Sequence, residues 1–147
     1  MKIQDVMTRQ PTCCTPDTSL ESVARMMAEC DCGAIPVVGD LDTLHPLGVI
    51  TDRDIVVRAL ADGQNPLELT AAACMTAPAV TVKQDCDLDE CVKHLEDKQI
   101  RRAVVVDGDG RVCGIVAPAD IAMHTPKRVV GELIERVSER VPPLPAA

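Results

Sequence analysis

The stretch Gly48-Val49-Ile50-Thr51-Asp52-Arg53-Asp54-Ile55 decides the fold of this chain, because a matching stretch follows it downstream. The second copy reads Gly114-Ile115-Val116-Ala117-Pro118-Ala119-Asp120-Ile121. In each copy, a short apolar run typical of a buried strand leads directly into residues typical of a helix start. The sequence therefore predicts the same strand-to-helix unit twice.

Three more blocks repeat in the same order around this unit. The block Val6-Met7-Thr8 returns as Cys74-Met75-Thr76, and the strand-like run 34–38 returns at 102–106. Between these blocks, each copy carries an apolar stripe at helical spacing. The stripes are Leu20, Val23, Ala24, Met27 and Leu88, Cys91, Val92, Leu95. Four blocks in one order identify an internal repeat.

Each copy predicts the order strand, helix, strand, strand, helix. In the second copy, the run from Asp107 to Gly110 predicts a hairpin turn between the two adjacent strands. For the first copy, the predicted elements are a strand near Thr12–Thr15, a helix from Leu20 to Asp31 with Ser19 as its N-cap, strands at 34–38 and 47–50, and a helix from Asp52 to about Ala61.

These elements predict an α/β fold of two pseudo-symmetric β-α-β-β-α repeats, at residues 1–63 and 64–124, with a C-terminal helix and tail at 125–147. One copy of about 60 residues is marginal alone, so the two sheets are expected to bury their apolar faces together and leave two equivalent clefts. The last helix is expected to pack on the body or on a second subunit, which favours a homodimer. Its apolar stripe comprises Val130, Leu133, Ile134, Val137 and Val141.

Composition excludes several classes of function. The 147 residues carry a net charge of −8 and include no Phe, Tyr or Trp. Nucleic-acid binding normally requires a basic face and often aromatic stacking platforms, so this function is excluded. No run approaches the roughly 20 apolar residues of a membrane span, and the N-terminus lacks the apolar region of a signal peptide. We therefore expect a cytoplasmic protein without membrane contact.

The cysteines leave an alternative open. All eight are interpreted as structural thiols, because cytoplasmic thiols stay reduced and no C-x-x-C pair occurs. The alternative is a metal or redox sensor that uses Cys30 and Cys32 with Cys13-Cys14 or a histidine, although zinc sites usually show tighter paired spacing. The histidines are isolated and no nucleophile-elbow or phosphate-loop motif is present, so we predict no enzymatic activity.

Taken together, the blocks resemble the CBS-domain family. The resemblance rests on Asp5-Val6-Met7-Thr8, on the Gly33–Val38 strand and on the Gly48–Ile55 segment, and it extends over residues 1–124. The chain is similar to stand-alone bacterial CBS pairs, also called Bateman modules. This resemblance implies a dimeric disc that binds AMP, ATP, NAD or S-adenosylmethionine as a regulatory ligand, requires no cofactor, and acts on a protein partner in trans.

The resemblance also implies a first cleft. The family's ligand-contacting Thr and Asp correspond to Thr51 and Asp54: a carboxylate suits two ribose hydroxyls, while a hydroxyl and free N–H groups suit a phosphate. Arg53 would add a charge-assisted contact. The adenine would lie in an apolar slot of Ala34, Ile35 and Pro36 with Cys13 or Cys14. The alternative is that Thr51 and Asp54 form a capping box without any ligand.

The second cleft departs from this pattern. Asp120 remains, but Ala117 replaces the hydroxyl residue and Val104 replaces Pro36. Arg101 and Arg102 bring two guanidinium groups nearby, either toward nucleotide phosphates or as a solvated pair. We therefore expect unequal sites, with AMP bound more tightly in the first. The second-cleft candidates are Asp120, Arg101, Arg102, Val80 and Thr81.

Overall fold

The computed structural model describes residues 1–124 and 126–139 and has the mixed α/β architecture that the repeats predict. The strands are β1 (Thr8–Arg9), β2 (Ala34–Val38), β3 (Pro46–Thr51), β4 (Thr81–Lys83), β5 (Ala103–Val106) and β6 (Val112–Val116). The helices are α1 (Leu20–Cys30), α2 (Asp52–Ile55), α3 (Ala71–Cys74), α4 (Leu88–Lys98), α5 (Pro118–Ala122) and α6 (Lys127–Ser138). A π-helical stretch, Val56–Leu60, continues α2, and two 3-10 turns lie at Ile3–Asp5 and Pro66–Glu68.

Local sequence signals set several of these boundaries. The hydroxyl of Ser19 accepts a 3.1 Å hydrogen bond from the Ser22 amide, which confirms the predicted N-cap of α1. At the predicted hairpin turn, Asp107 accepts hydrogen bonds from the amides of Asp109 and Arg111. Gly110 completes this turn with a φ of 77°, a left-handed conformation that glycine adopts without steric cost.

The predicted strand near Thr12–Thr15 shrinks to a single bridge between Cys14 and Val37. The matching strand of the other copy, β4, keeps a three-residue parallel ladder with β5. There, Val104 and Gln84 donate amide hydrogen bonds to the Val80 and Val106 carbonyls. The residues at the corresponding positions of the first copy are Pro36 and Pro16, which have no N–H to donate. The predicted length of the strand was therefore wrong, because two of the hydrogen bonds it needs cannot form.

The two copies exchange their first segments. β1 pairs antiparallel with β6 of the second copy, with Thr8 opposite Ile115. Reciprocally, Thr76 of the second copy pairs with Val49 in β3 of the first. The core residues follow the same exchange: Ile3, Val6 and Met7 pack in the core of the second repeat, while Ala71 and Cys74 pack in the core of the first. Each packed unit therefore contains chain from both sequence repeats.

Two glycines allow this exchange. A Cβ atom on Gly48 would lie 2.3 Å from the carbonyl oxygen of Thr76, and one on Gly114 would lie 2.3 Å from the sulfur of Met7. Such distances are far below van der Waals contact, so the crossing chain occupies the space that any side chain would need. The glycine that begins each repeated stretch is thus required by the exchanged segment.

The two repeats are joined by an apolar layer and by hydrogen bonds. Val38 of β2, Val104 of β5 and Val112 of β6 form one buried cluster, which confirms that the sheets bury apolar faces against each other. The Arg111 guanidinium donates hydrogen bonds of 3.1 and 2.8 Å to the carbonyls of Thr43 and Asp42. Both kinds of contact fix the clefts relative to one another.

The C-terminal helix packs on the chain's own body. Leu133 and Val137 of α6 are buried in the core of the second repeat, where α6 contacts α4 and α5. Ile134 remains 46% exposed, and Val141 of the predicted stripe lies outside the described residues. Two of the five stripe residues, Leu133 and Val137, therefore close a core within one chain, which weakens the stripe as an argument for a dimer.

One pair of cysteines does not have the free thiols that the sequence predicts. Cys30 and Cys32 are joined by a disulfide, so the interpretation of all eight as thiols was wrong for these two. The other six are free, and Cys14, Cys74 and Cys91 are buried as small core residues.

Within residues 1–124 and 126–139, no helix has both the length and the apolar character needed to cross a bilayer.

Candidate ligand clefts

The first cleft is organised by the start of α2. The Thr51 hydroxyl accepts a 3.1 Å hydrogen bond from the Asp54 amide, and Asp54 Oδ2 accepts a 3.0 Å hydrogen bond from the Thr51 amide. These reciprocal bonds form a capping box, so the structural alternative for this motif is realised. In the described chain, Asp54 Oδ1 accepts no hydrogen bond. The box therefore uses one carboxylate oxygen and leaves the other available.

The strand β2 divides the proposed adenine slot between two faces. Ile35 is fully buried and Cys14 is 1% exposed, and both side chains pack in the core of the first repeat. Their side chains therefore do not face a ligand, and the Cys14 amide and carbonyl are already hydrogen-bonded to Pro36 and Val38 of β2. Cys13 packs instead against the layer between the repeats, on the opposite side from Cys14. Ala34 pairs with Thr51 across the hairpin, which brings the slot next to the capping box.

Arg53 lies in the first turn of α2. Its amide donates a 2.8 Å hydrogen bond to the Asp52 carboxylate, and its side chain is exposed. No acidic side chain in the described residues forms an ion pair with it. A second arginine, Arg58, is used structurally, because its guanidinium donates hydrogen bonds to the carbonyls of Cys74 and Met75.

The second cleft holds its carboxylate differently. Asp120 Oδ2 accepts a 2.8 Å hydrogen bond from the Ala117 amide, which preserves half of the capping box without a hydroxyl. Asp120 Oδ1 accepts a 3.4 Å hydrogen bond from Thr8, which the exchanged segment brings from the other sequence repeat. Thr8 is a cleft residue that the sequence pattern did not predict. Its only signal was the repeated Met-Thr block.

The two arginines of the second cleft line a cavity of about 280 Å³. Arg101 and Arg102 are exposed, and within the described residues neither forms an ion pair. The cavity is bounded by the start of α5 and by one side of α6, an arrangement that the sequence pattern did not predict. Its remaining lining residues are Ala117, Pro118, Ala119, Ile134, Val137 and Ser138.

The other candidates of the second cleft lie apart from the arginines. The Val80 carbonyl accepts a 3.0 Å hydrogen bond from the Val104 amide, so this backbone group is used by the sheet. Thr81 is exposed and lines a different cavity of about 470 Å³, together with Lys2 and His94 among others. The structure thus separates Thr81 from the cavity of Arg101 and Arg102.

The cysteines that the metal-sensor alternative would use as ligands do not lie together. Cys13 and Cys14 pack in two different clusters, and Cys30 is bonded to Cys32. Over residues 1–124 and 126–139, no group of three or more His, Cys, Asp or Glu side chains is placed to hold a metal ion. Burial raises the pKa of Cys13 to about 11 and that of Cys14 to about 12, so both are neutral thiols at neutral pH.

The chain has two α/β repeats that exchange their first segments, and each repeat carries an acidic residue where a strand leads into a helix. These features define the class of paired regulatory domains. The chain belongs to the CBS-domain family, whose model matches residues 3–60 and 71–126. The match covers both repeats, in agreement with the resemblance seen in the sequence.

Among curated relatives, the chain is similar to Hypoxic response protein 1 of Mycobacterium tuberculosis, with 35% identity over 134 residues, 91% of this chain and 92% of that one. It is also 38% identical over 123 residues to the uncharacterized protein MK0525 of Methanopyrus kandleri, covering 84% of this chain and 59% of that one.

Solved structures give the same fold. A crystal structure of Hypoxic Response Protein I with two coordinated zinc ions superposes with a TM-score of 0.74 at 36% identity, covering 86% of this chain and all of that one. The CBS domain pair of protein MJ0100, in complex with 5'-methylthioadenosine and S-adenosyl-L-methionine, superposes with a TM-score of 0.72 at 26% identity. That match covers 84% of this chain and 94% of the other.

Proposed function

We propose that this chain is a regulatory sensor of adenosine-containing ligands, with AMP as the favoured ligand and the first cleft as the tighter site. The observation that carries the proposal is the difference between Asp54 and Asp120. Asp54 keeps one carboxylate oxygen free of hydrogen bonds in the described chain, whereas the matching oxygen of Asp120 accepts one from Thr8. A carboxylate with a free oxygen is suited to the vicinal hydroxyls of a ribose.

In this proposal, the residues around Asp54 have complementary roles. The base lies against Ala34 and Pro36, at the end of the slot that adjoins the capping box. The Arg53 guanidinium, which has no acidic partner in the described residues, offers a charge-assisted hydrogen bond to the phosphate. The capping box keeps Asp54 in place before a ligand arrives, which lowers the entropic cost of binding.

The second cleft is proposed as a weaker site that recognises a different part of the ligand. Arg101 and Arg102 supply positive charge beside an apolar cavity, while the hydroxyl that Thr51 supplies in the first cleft is absent at Ala117. Binding there would depend more on phosphate charge and less on the ribose. Val80 and Thr81 do not line this cavity, so no part in binding is proposed for them here.

The comparisons favour an adenosine ligand over a metal. The MJ0100 pair, which is 26% identical, was solved with two adenosine derivatives. The zinc ions of Hypoxic Response Protein I belong to that protein. In this chain, the described residues contain no cluster of three metal-ligating side chains, so the metal alternative has no site there.

The output is proposed to be a change of shape or assembly that a cytoplasmic protein partner detects, without catalysis by this chain. Ligands shift a conformational equilibrium only when they bind one state better than the other. Two clefts joined through one apolar layer and the Arg111 hydrogen bonds are suited to such coupling.

Calorimetric titration of the full chain tests this function directly. AMP, ATP, NAD and S-adenosylmethionine are titrated separately, with guanosine monophosphate as the control ligand. We expect saturable binding of adenosine ligands with one tighter and one weaker site, and no comparable binding of the guanosine ligand. The absence of saturable binding for all four adenosine ligands would contradict the proposal.

A further inference from the structure

The end of α1 carries two cysteines that the structure joins. Cys30 is the last residue of α1, Cys32 follows just after it, and their sulfurs form a disulfide with the Cα atoms 5.3 Å apart. That separation lies within the range that ordinary disulfides span. We propose that Cys30 and Cys32 form a reversible dithiol–disulfide couple that exchanges with low-molecular-weight disulfides and thiols.

The second repeat serves as an internal control for the backbone of this turn. Asp31, between the two cysteines, adopts a left-handed conformation with φ 51° and ψ 48°. The matching residue, Gln99, has φ 52° and ψ 41°, although it is flanked by Lys98 and Ile100. The same backbone conformation therefore forms where no cross-link exists.

Hydrogen bonds explain this shared turn. The Cys32 amide donates to the Met27 carbonyl at 3.1 Å, and the Ile100 amide donates to the Leu95 carbonyl at 3.1 Å. These are helix C-terminal hydrogen bonds, and they arise from the end of the helix and not from the disulfide. The helix end thus holds the two thiols close together in the reduced state, which gives them a high effective concentration for each other.

The remaining cysteines are poorly suited to exchange. The reactive species in thiol–disulfide exchange is the thiolate, so a raised pKa suppresses the reaction at neutral pH. Burial is the main reason for the raised pKa of every free cysteine, and the pKa reaches about 12 for Cys14 and Cys91. The others with raised pKa values are Cys13, Cys74, Cys86 and Cys113. Exchange is thereby disfavoured at these six thiols.

The couple borders the first cleft. Gly33, which follows Cys32, accepts a 3.1 Å hydrogen bond from the Asp52 amide, and Ala34 pairs with Thr51. A Cβ atom on Gly33 would lie 3.2 Å from Asp52 Oδ2, so this turn lies close against the start of α2. The inference does not depend on the proposed ligand, because it concerns only the chemistry of the two sulfurs.

The exchange balances without any metal or cofactor. In the oxidising direction, the thiolate of one cysteine attacks a sulfur of a small-molecule disulfide and releases the first thiol. The second cysteine then displaces the remaining thiol, and the Cys30–Cys32 bond forms. The two protons of the pair end on the two released thiols. The cysteine sulfurs lose two electrons, and the small-molecule disulfide gains them.

A redox titration of the full chain tests the couple. The protein is equilibrated with mixtures of reduced and oxidised glutathione, quenched in denaturant with an alkylating reagent, and analysed by peptide mass spectrometry. We expect the peptide with Cys30 and Cys32 to pass from doubly alkylated to internally linked, lighter than the dithiol by two hydrogen atoms, while the other cysteines stay alkylated. Cys32→Ser should instead leave Cys30 as a mixed disulfide with glutathione.

Several results would overturn the proposal. These are a pair that stays reduced in every mixture, a pair that stays linked in excess reduced glutathione, or bonds from Cys30 or Cys32 to another cysteine. The turn itself is tested by Lys98→Cys with Ile100→Cys in a Cys30→Ser, Cys32→Ser background, with circular dichroism to verify folding. A folded variant whose transplanted pair does not link would contradict the role assigned to the backbone.

Discussion

The hydroxyl of Thr8 lies 3.4 Å from Oδ1 of Asp120 and donates a hydrogen bond to it, although the two residues belong to different sequence repeats. In the described chain, the matching residue Thr76 makes no such bond to Asp54. The exchange of first segments pairs Thr8 with Ile115 and Thr76 with Val49, at matching strand positions, but in the described residues only Thr8 bonds to the acidic residue of its cleft. This asymmetry is the structural basis for expecting unequal sites.

The glycines at the crossing points should be intolerant of a side chain. Gly48→Ala places a Cβ atom 2.3 Å from a backbone carbonyl oxygen, so the exchanged segment must move. We expect a loss of about 1–3 kcal/mol in the free energy of unfolding, measured by urea denaturation. Gly114→Ala should cost less, because its nearest neighbour is the flexible side chain of Met7.

Gly131→Ala is the matched control for this measurement. Gly131 lies within α6, and a Cβ atom there meets nothing within 4 Å. The substitution should stabilise the protein by about 0.5–1 kcal/mol, because alanine is the better helix former. Equal stability of Gly48→Ala and wild type would contradict the account of the crossing.

Arg102 should contribute to binding only through the phosphate. Arg102→Gln removes a positive charge beside the cavity under α6 and should weaken phosphate-bearing ligands at the second cleft by about tenfold. Adenosine, which has no phosphate, should bind the variant and the wild type alike. Calorimetry at two salt concentrations checks the assignment, because added salt should weaken the wild-type contact as well. An equal loss for adenosine would place Arg102 in a structural role.

The raised thiol pKa values should make the protein less stable at alkaline pH. Burial is the main cause that raises the pKa of the Cys14 and Cys91 thiols from the ordinary 9.0 to about 12. The unfolded chain therefore releases these protons first, so stability is complete below about pH 9 and declines as the pH rises toward about 12.

Urea denaturation of the reduced protein at several pH values measures this decline. The chain contains no tyrosine, so no phenol titrates in the same range. Cys14→Ala should lower stability at neutral pH but show a shallower decline with pH. Identical slopes for the variant and the wild type would contradict the assignment of this effect to Cys14.

The protein is expected to form a homodimer, now through a different surface from the stripe on α6. Val56 and Leu60, on the helical segment that follows Asp54, are 53% and 63% exposed. A closed two-fold assembly is the commonest way to cover such a surface. Light scattering at micromolar concentration should give the dimer mass, and Leu60→Ser should shift it toward the monomer, whereas the control Leu41→Ser should not. A monomeric wild type would refute this prediction.

Local signals in the sequence predicted much of the fold. The repeat, the Ser19 cap, the Asp107–Gly110 turn and the strand-to-helix junctions depend on residues near one another in the chain, and the structure contains all of them. The repeat supplied the expectation of paired clefts, and its resemblance to a known family supplied the expected ligand and its contact residues.

What the sequence could not predict depends on contacts between distant residues. The exchange of β1, the Thr8–Asp120 hydrogen bond and the closure of a cavity by α6 all arise from how the two repeats pack. The missing ladder at Thr12–Thr15 could have been predicted, because Pro16 and Pro36 lack the two N–H groups that it needs. The division of Cys13 and Cys14 between opposite faces also follows from strand alternation.

The central claim is that the free oxygen of Asp54 binds a ribose, and Asp54→Asn tests it most directly. An asparagine carbonyl still accepts the Thr51 amide, so the cap and the melting temperature should be preserved, but its NH₂ group donates where Oδ1 would accept. We expect calorimetry to show AMP binding at the first cleft weakened by about tenfold to a few hundredfold. Asp120→Asn, the matched control, should leave this affinity unchanged. Wild-type AMP affinity in Asp54→Asn would contradict the account and leave Thr51 and Asp54 as a helix cap alone.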